Sequence, residues 1–143
     1  MKILVALLFV PLLFACAPAP SAGNSPEDVA PAQVIDFTDL NSDAVGRLEV
    51  ALQPDGKMRM VIRLSGLRAG SNHAAHVHSG SCQRLGALTA SLAGVSADSA
   101  GRAVSSSIVD TTRLPQSAYV MVHERAANAA NGPGVGIACA TFR

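Results

Sequence analysis

Three of the chain's four histidines fall within six residues, His73-Ala-Ala-His76-Val-His78, and the fourth, His123, closes the apolar run Tyr119-Val-Met-Val-His123. Neutral imidazole nitrogens are lone-pair donors suited to copper and zinc. A strand repeats its side-chain direction every second residue, so on a strand His76 and His78 project from one face, about 6.6 Å apart along the backbone. A third imidazole, His123, brought beside them would complete a three-nitrogen metal site. Copper is favoured over zinc: divalent copper stands highest in the usual affinity order and accepts an open three-nitrogen site. A structural zinc site would want a fourth protein ligand, and the sequence offers no evident one. The plainer alternative is a surface pair of strand histidines with His123 packed as a structural residue. His73 lies three residues before His76, so strict alternation aims it at the opposite face, an exposed or core-edge position, although such neighbours also orient ligand rings. Glu124 and Arg125 read as a solvated strand end.

The elements that must position these residues read as short strands separated by turns, with no convincing helix. Val34 to Thr38 is a candidate first strand, and Arg47 to Leu52 alternates. Gln53-Pro-Asp-Gly-Lys57 then makes a turn, with φ fixed at Pro54 and a positive φ accepted at Gly56. Met58 to Leu64 alternates again, with Met60, Ile62 and Leu64 on one face and Arg59 and Arg63 on the other. Leu67 to Gly70 turns the chain into the histidine strand. Leu85 to Val95 is ambiguous, Leu- and Ala-rich enough for a helical turn but bounded like a strand. Asp98 to Gly101 turns into Ala103 to Val109, and Ala118 to Glu124 and Val135 to Phe142 close the series. About eight strands at this spacing predict an all-β antiparallel sandwich or barrel.

Residues 1–15 read as a targeting segment. Lys2 supplies a positive start, and Ile3 to Phe14 is an apolar run broken by Pro11 and too short for a span of about 20 residues. It ends in Leu13-Phe14-Ala15-Cys16, which resembles the lipobox of bacterial lipoproteins. The resemblance implies cleavage before Cys16 and lipidation of that residue, anchoring the chain to a membrane. Ala17, not an aspartate, follows, which places the expected anchor in the outer membrane, facing the periplasm. Residues 16–33 form an Ala-, Pro- and Ser-rich linker without a hydrophobic period. Residues 34–143 remain as one domain of about 110 residues, enough to bury a core. Removing Lys2 from eleven basic residues leaves ten against ten acidic ones, with no basic run, so nucleic-acid binding is excluded on charge grounds. Setting Cys16 aside leaves Cys82 and Cys139. In an exported chain such a pair is a disulfide candidate, closing a loop worth about 4 kcal/mol, with two free thiols as soft metal ligands the alternative.

The ordered set Ser65-Gly-Leu-Arg-Ala-Gly70, His73-Ala-Ala-His76-Val-His78, Gly80-Ser-Cys82, Val120-Met-Val-His123-Glu124 and Gly134-Val-Gly-Ile-Ala-Cys139 resembles the copper/zinc superoxide dismutases. The resemblance runs from about residue 34 to the end and implies a Greek-key β-sandwich or barrel. It implies copper ligands at His76, His78 and His123, an orienting role at His73, and a Cys82–Cys139 disulfide. The departures are as informative. Between Cys82 and Gly101 the chain has no histidine and only Asp98, so the family's zinc site and bridging histidine are missing. Gly136 stands where the family places the arginine that attracts the superoxide anion, and Glu124 to Pro133 is too short for an anion-guiding loop.

Ala75-His-Val-His-Ser-Gly80 and Tyr119-Val-Met-Val-His123 also resemble the CHRD (chordin-type) domains, although the cysteine pair and the Ile-Ala-Cys139 ending favour the dismutase side. Three functional readings follow: a zinc-free copper dismutase of reduced activity, a periplasmic copper-binding or buffering protein without catalysis, and a CHRD-like structural or interaction domain without metal.

Overall fold

The structure is a computed structural model that describes residues 31–128 and 130–143. The expected targeting segment, Cys16 and most of the expected linker therefore lie outside the described residues.

The described residues form eleven strand segments: β1 (Gln33–Asp36), β2 (Thr38–Asp39), β3 (Val45–Leu52), β4 (Lys57–Ser65), β5 (Asn72–His73), β6 (Ala75–Ser81), β7 (Arg84–Ser91), β8 (Val95–Ser96), β9 (Ala103–Asp110), β10 (Ala118–His123) and β11 (Gly136–Thr141). Among the described residues the only helical piece is a 3-10 turn at Thr111–Arg113. The strands build a four-stranded sheet, β1-β3-β4-β9, and a five-stranded sheet, β2-β11-β10-β6-β7, with β5 and β8 paired separately. All pairings are antiparallel, and the non-consecutive neighbours β4–β9 and β6–β10 give the Greek-key crossovers.

Alternation dictates what each sheet buries. Leu48 and Val50 of β3, and Met60, Ile62 and Leu64 of β4, face Ala75 and Val77 of β6 and Ala118, Val120 and Val122 of β10 across one core. The β3–β4 hairpin closes at the expected turn, where Gly56 has φ 78° and donates its N–H to Gln53 O at 3.0 Å. The first strand begins earlier than expected and splits. Pairing starts at Ala32, whose N–H donates to Val50 O, and Phe37 interrupts the run as its buried ring enters the core, so that Thr38 and Asp39 join the other sheet. The ambiguous stretch after Cys82 is a strand: β7 pairs with β6 along an edge and leaves Leu85 and Leu88 exposed.

The five-stranded sheet also has an occupied outer face. Tyr119, Met121 and Cys139 are buried there in a second cluster with Leu40 and Cys82, and the Cys82–Cys139 pair is a disulfide joining the end of β6 to β11 across β10. His76, His78 and His123 point to this same outer face, out of phase with the core residues Val77 and Val122.

Candidate metal centre

The register of β6 against β10 sets Tyr119 opposite His78 and Met121 opposite His76, and His123 follows two residues beyond Met121. One nitrogen from each of His76, His78 and His123 lies within 4.8 Å of the other two, a group that could hold a metal ion. His76 Nδ1 and His123 Nε2 are 3.2 Å apart, and the three ring centroids are separated by 4.9 to 6.0 Å. The strand ends are clamped together by the backbone: His123 N–H donates to Ala74 O at 2.9 Å, and Ala74 N–H to Arg125 O at 3.0 Å.

Backbone carbonyls decide which nitrogen carries the proton on two of the three rings. A carbonyl oxygen only accepts, so His78 Nδ1–H donates to Gly86 O at 3.2 Å and His123 Nδ1–H donates to Gly134 O at 3.1 Å. Each ring then carries its lone pair on Nε2. His123 Nε2 faces His76 Nδ1, and His78 Nε2 is buried with no hydrogen-bond partner among the described residues. Leaving a buried acceptor unpaired costs about 1–3 kcal/mol, and a metal bond at that atom would remove the cost. His78 is further held by Tyr119, whose ring stacks on it at 5.2 Å and 12°. This donor set fits a metal that takes imidazole nitrogen: two carbonyl-fixed tautomers, one orphaned lone pair, and a third nitrogen within reach.

Electrostatics favours the neutral rings that ligation requires. Burial, and then the neighbouring imidazoles of His123 and His78, hold the His76 ring below the usual histidine range. Burial also lowers His123. Its hydrogen bond to Gly134 works in the opposite direction and His78 adds to the lowering, so the net shift is downward.

His73 is buried and belongs to a different strand segment from the pair, because β5 ends before Ala74 and pairs with β8. Its Nδ1–H donates to the backbone oxygen of His123 at 2.8 Å, and its Nε2 is 2.7 Å from Ser71 Oγ. It touches the main chain of His123, not that ring, and so fixes the end of β10 from behind. Glu124 and Arg125 are a paired, exposed strand end, with Arg125 Nη1 2.9 Å from Glu124 Oε2.

Sequence reasoning missed the Gly86 and Gly134 carbonyls and the Tyr119 and Ser71 contacts. Tyr119 had a signal, since alternation along β10 puts it on the face of His123. The carbonyls had none.

Comparison with known proteins bears on the fold. No family model and no curated protein matches the chain. A crystal structure of a SOD-like protein from Bacillus subtilis is similar at TM-score 0.62 and 18% identity, covering 80% of this chain and 100% of that one. A double mutant of a SOD-like protein from Bacillus subtilis is similar at TM-score 0.58 and 18% identity, over 76% of this chain and 95% of that one. The chain thus has a SOD-like β-sandwich fold with a three-histidine group on the outer face of its larger sheet. The resemblance to CHRD domains finds no support in these comparisons.

Proposed function

We propose that this chain is an exported, lipid-anchored protein of SOD-like fold that binds copper through His76, His78 and His123 and dismutates superoxide slowly at most. The observation that carries the reading is the convergence of three imidazole nitrogens within 4.8 Å, together with a buried His78 Nε2 that has no hydrogen-bond partner among the described residues. Copper is preferred to zinc because three nitrogens with an open position suit it, whereas a closed zinc site wants a fourth ligand. Copper bound there would supply one-electron transfer between its two oxidation states. The chain's own part is to hold His78 and His123 in fixed tautomers through Gly86 O and Gly134 O, and to keep His76 and His123 neutral by burial.

Two features argue against fast turnover. Gly136 brings no positive charge to the position facing His123, and Arg125, close by in sequence, is neutralised by Glu124. Fixed charge that would steer a small anion inward is thereby reduced. The same features favour, as the second reading, a non-catalytic protein that holds copper in the periplasm.

The test is copper loading of the purified full chain, with metal analysis and a superoxide-consumption assay on the chain and on His123→Ala. One copper per chain, lost in His123→Ala, with superoxide decay close to that of free buffer supports the reading. Rapid superoxide loss abolished by the same substitution would make the chain an efficient dismutase. Failure to bind copper would leave a structural or interaction domain. The anchor is tested separately: Cys16→Ser is expected to move the chain from the membrane fraction to the soluble periplasmic fraction, and an unchanged distribution would refute lipidation there.

A further inference from the structure

Met121 lies two residues before His123 and therefore on the same face of β10, directly opposite His76 on β6 and opposite Cys139 on β11. It is buried, with 5% exposure. Its thioether rests on Gly136, the residue that faces His123 across the β10–β11 ladder. A Cβ at Gly136 would overlap Met121 Sδ and crowd its Cε at 3.0 Å. A register shift between Val122 and His123 in this ladder sets His123 opposite Gly136 and leaves Ile137 as the extra residue. Glycine at 136 thus does two things at once: it withholds a charged side chain from the histidine face, and it leaves the space in which a sulfur atom sits.

We infer that Met121 Sδ is a fourth donor of this site, engaging the metal in its monovalent state, an inference that rests on the copper reading above. A thioether is a neutral, soft ligand that selects monovalent copper, whereas imidazole serves both oxidation states. Rotation about the Cα–Cβ and Cβ–Cγ bonds lets the Met121 sulfur move toward the His76–His123 pair without moving the strand. An uncharged, buried donor beside three neutral imidazoles favours the ion of lower charge, since burying charge is the costly step. The site is therefore biased toward keeping reduced copper, which points to holding or handing over that ion and not to cycling it against superoxide.

A Met in this position also serves as apolar filling for the cluster of Tyr119, Cys139, Leu40 and Cys82. Met121→Leu separates the two roles, because it keeps the volume and removes the sulfur. The full chain and the variant are loaded anaerobically with monovalent copper, examined by X-ray absorption at the copper edge, and titrated against a chromophoric copper(I) chelator. The divalent state is followed in parallel by electron paramagnetic resonance. A sulfur scatterer in the wild-type chain is expected, absent from Met121→Leu. The variant should bind monovalent copper roughly tenfold to a hundredfold more weakly while keeping its divalent signal. Nitrogen-only scattering in the wild type, or equal copper(I) affinity in both proteins, would overturn the role of Met121 while leaving the three-histidine site intact. A wild-type chain that takes up no copper in either state would overturn the copper reading itself, and this inference with it. Should Met121→Leu fail to fold, the scattering of the wild type decides alone.

Discussion

Replacing both Cys82 and Cys139 with alanine removes a cross-link that spans 57 residues. In the chain-entropy treatment a loop of this length restricts the unfolded chain by about 14 cal/mol/K, or about 4 kcal/mol at 25 °C. Cys139 is fully buried beside Tyr119 and Met121, so the missing sulfur also leaves a small void that adds to the loss. A domain of this size converts that into a fall in Tm of about 15 °C. Thermal and urea unfolding followed by far-ultraviolet circular dichroism measure both quantities on the two proteins in the same buffer. The cross-link ties the end of β6 to β11, whereas His76, His78 and His123 are held by the β6–β10 register, the Gly86 and Gly134 carbonyls and the Tyr119 stack. Metal stoichiometry well below the melting temperature is therefore expected to be unchanged. A stability loss below about 1 kcal/mol would refute the claim that the long loop is what the disulfide restrains. Loss of the metal from a folded variant would show that the disulfide positions the ligands directly.

Two further outcomes follow from the same geometry. Both His76 and His123 are held below the ordinary histidine value, so between the lowered and ordinary values the unfolded chain binds more protons than the folded one. Stability of the metal-free chain should then rise with pH through that window and fall on acidification. Metal retention should fall with it, since ligand rings must be neutral; urea midpoints that are equal at about pH 7.5 and about pH 5 would contradict this. Leu48→Ala, at a core position with 0% exposure on β3, should cost about 2–5 kcal/mol in urea unfolding, against a negligible cost for exposed Val104→Ala.

Much of the fold was legible because period-two alternation is strong where one face is buried. Met60, Ile62 and Leu64 face the core as read, and the turn at Gln53–Lys57 forms where Pro54 and Gly56 demand it. Alternation was also enough to put His76 and His78 on one face, and the family resemblance supplied His123. What stayed hidden has physical reasons. Segments of two residues, such as β2, β5 and β8, are too short to carry a period. Val61 is buried although it shares a face with Arg59 and Arg63, and the Glu49 opposite it accepts a hydrogen bond from Arg63 Nε at 2.9 Å. The bond from His73 to the His123 main chain crosses from the short segment β5 to β10, a contact that alternation along β6 does not encode. The carbonyls of Gly86 and Gly134 fix the ligand tautomers, yet a backbone acceptor has no sequence signature, since every residue carries one.

The most direct measurement is pulsed electron paramagnetic resonance of the full chain carrying one equivalent of divalent copper, counting the imidazoles coupled to the metal. Three are expected, falling to two in His78→Ala, because His78 Nε2 is buried without a hydrogen-bond partner among the described residues. Fewer than three in the wild type, or a spectrum that His78→Ala leaves unchanged, would contradict a copper centre built from His76, His78 and His123.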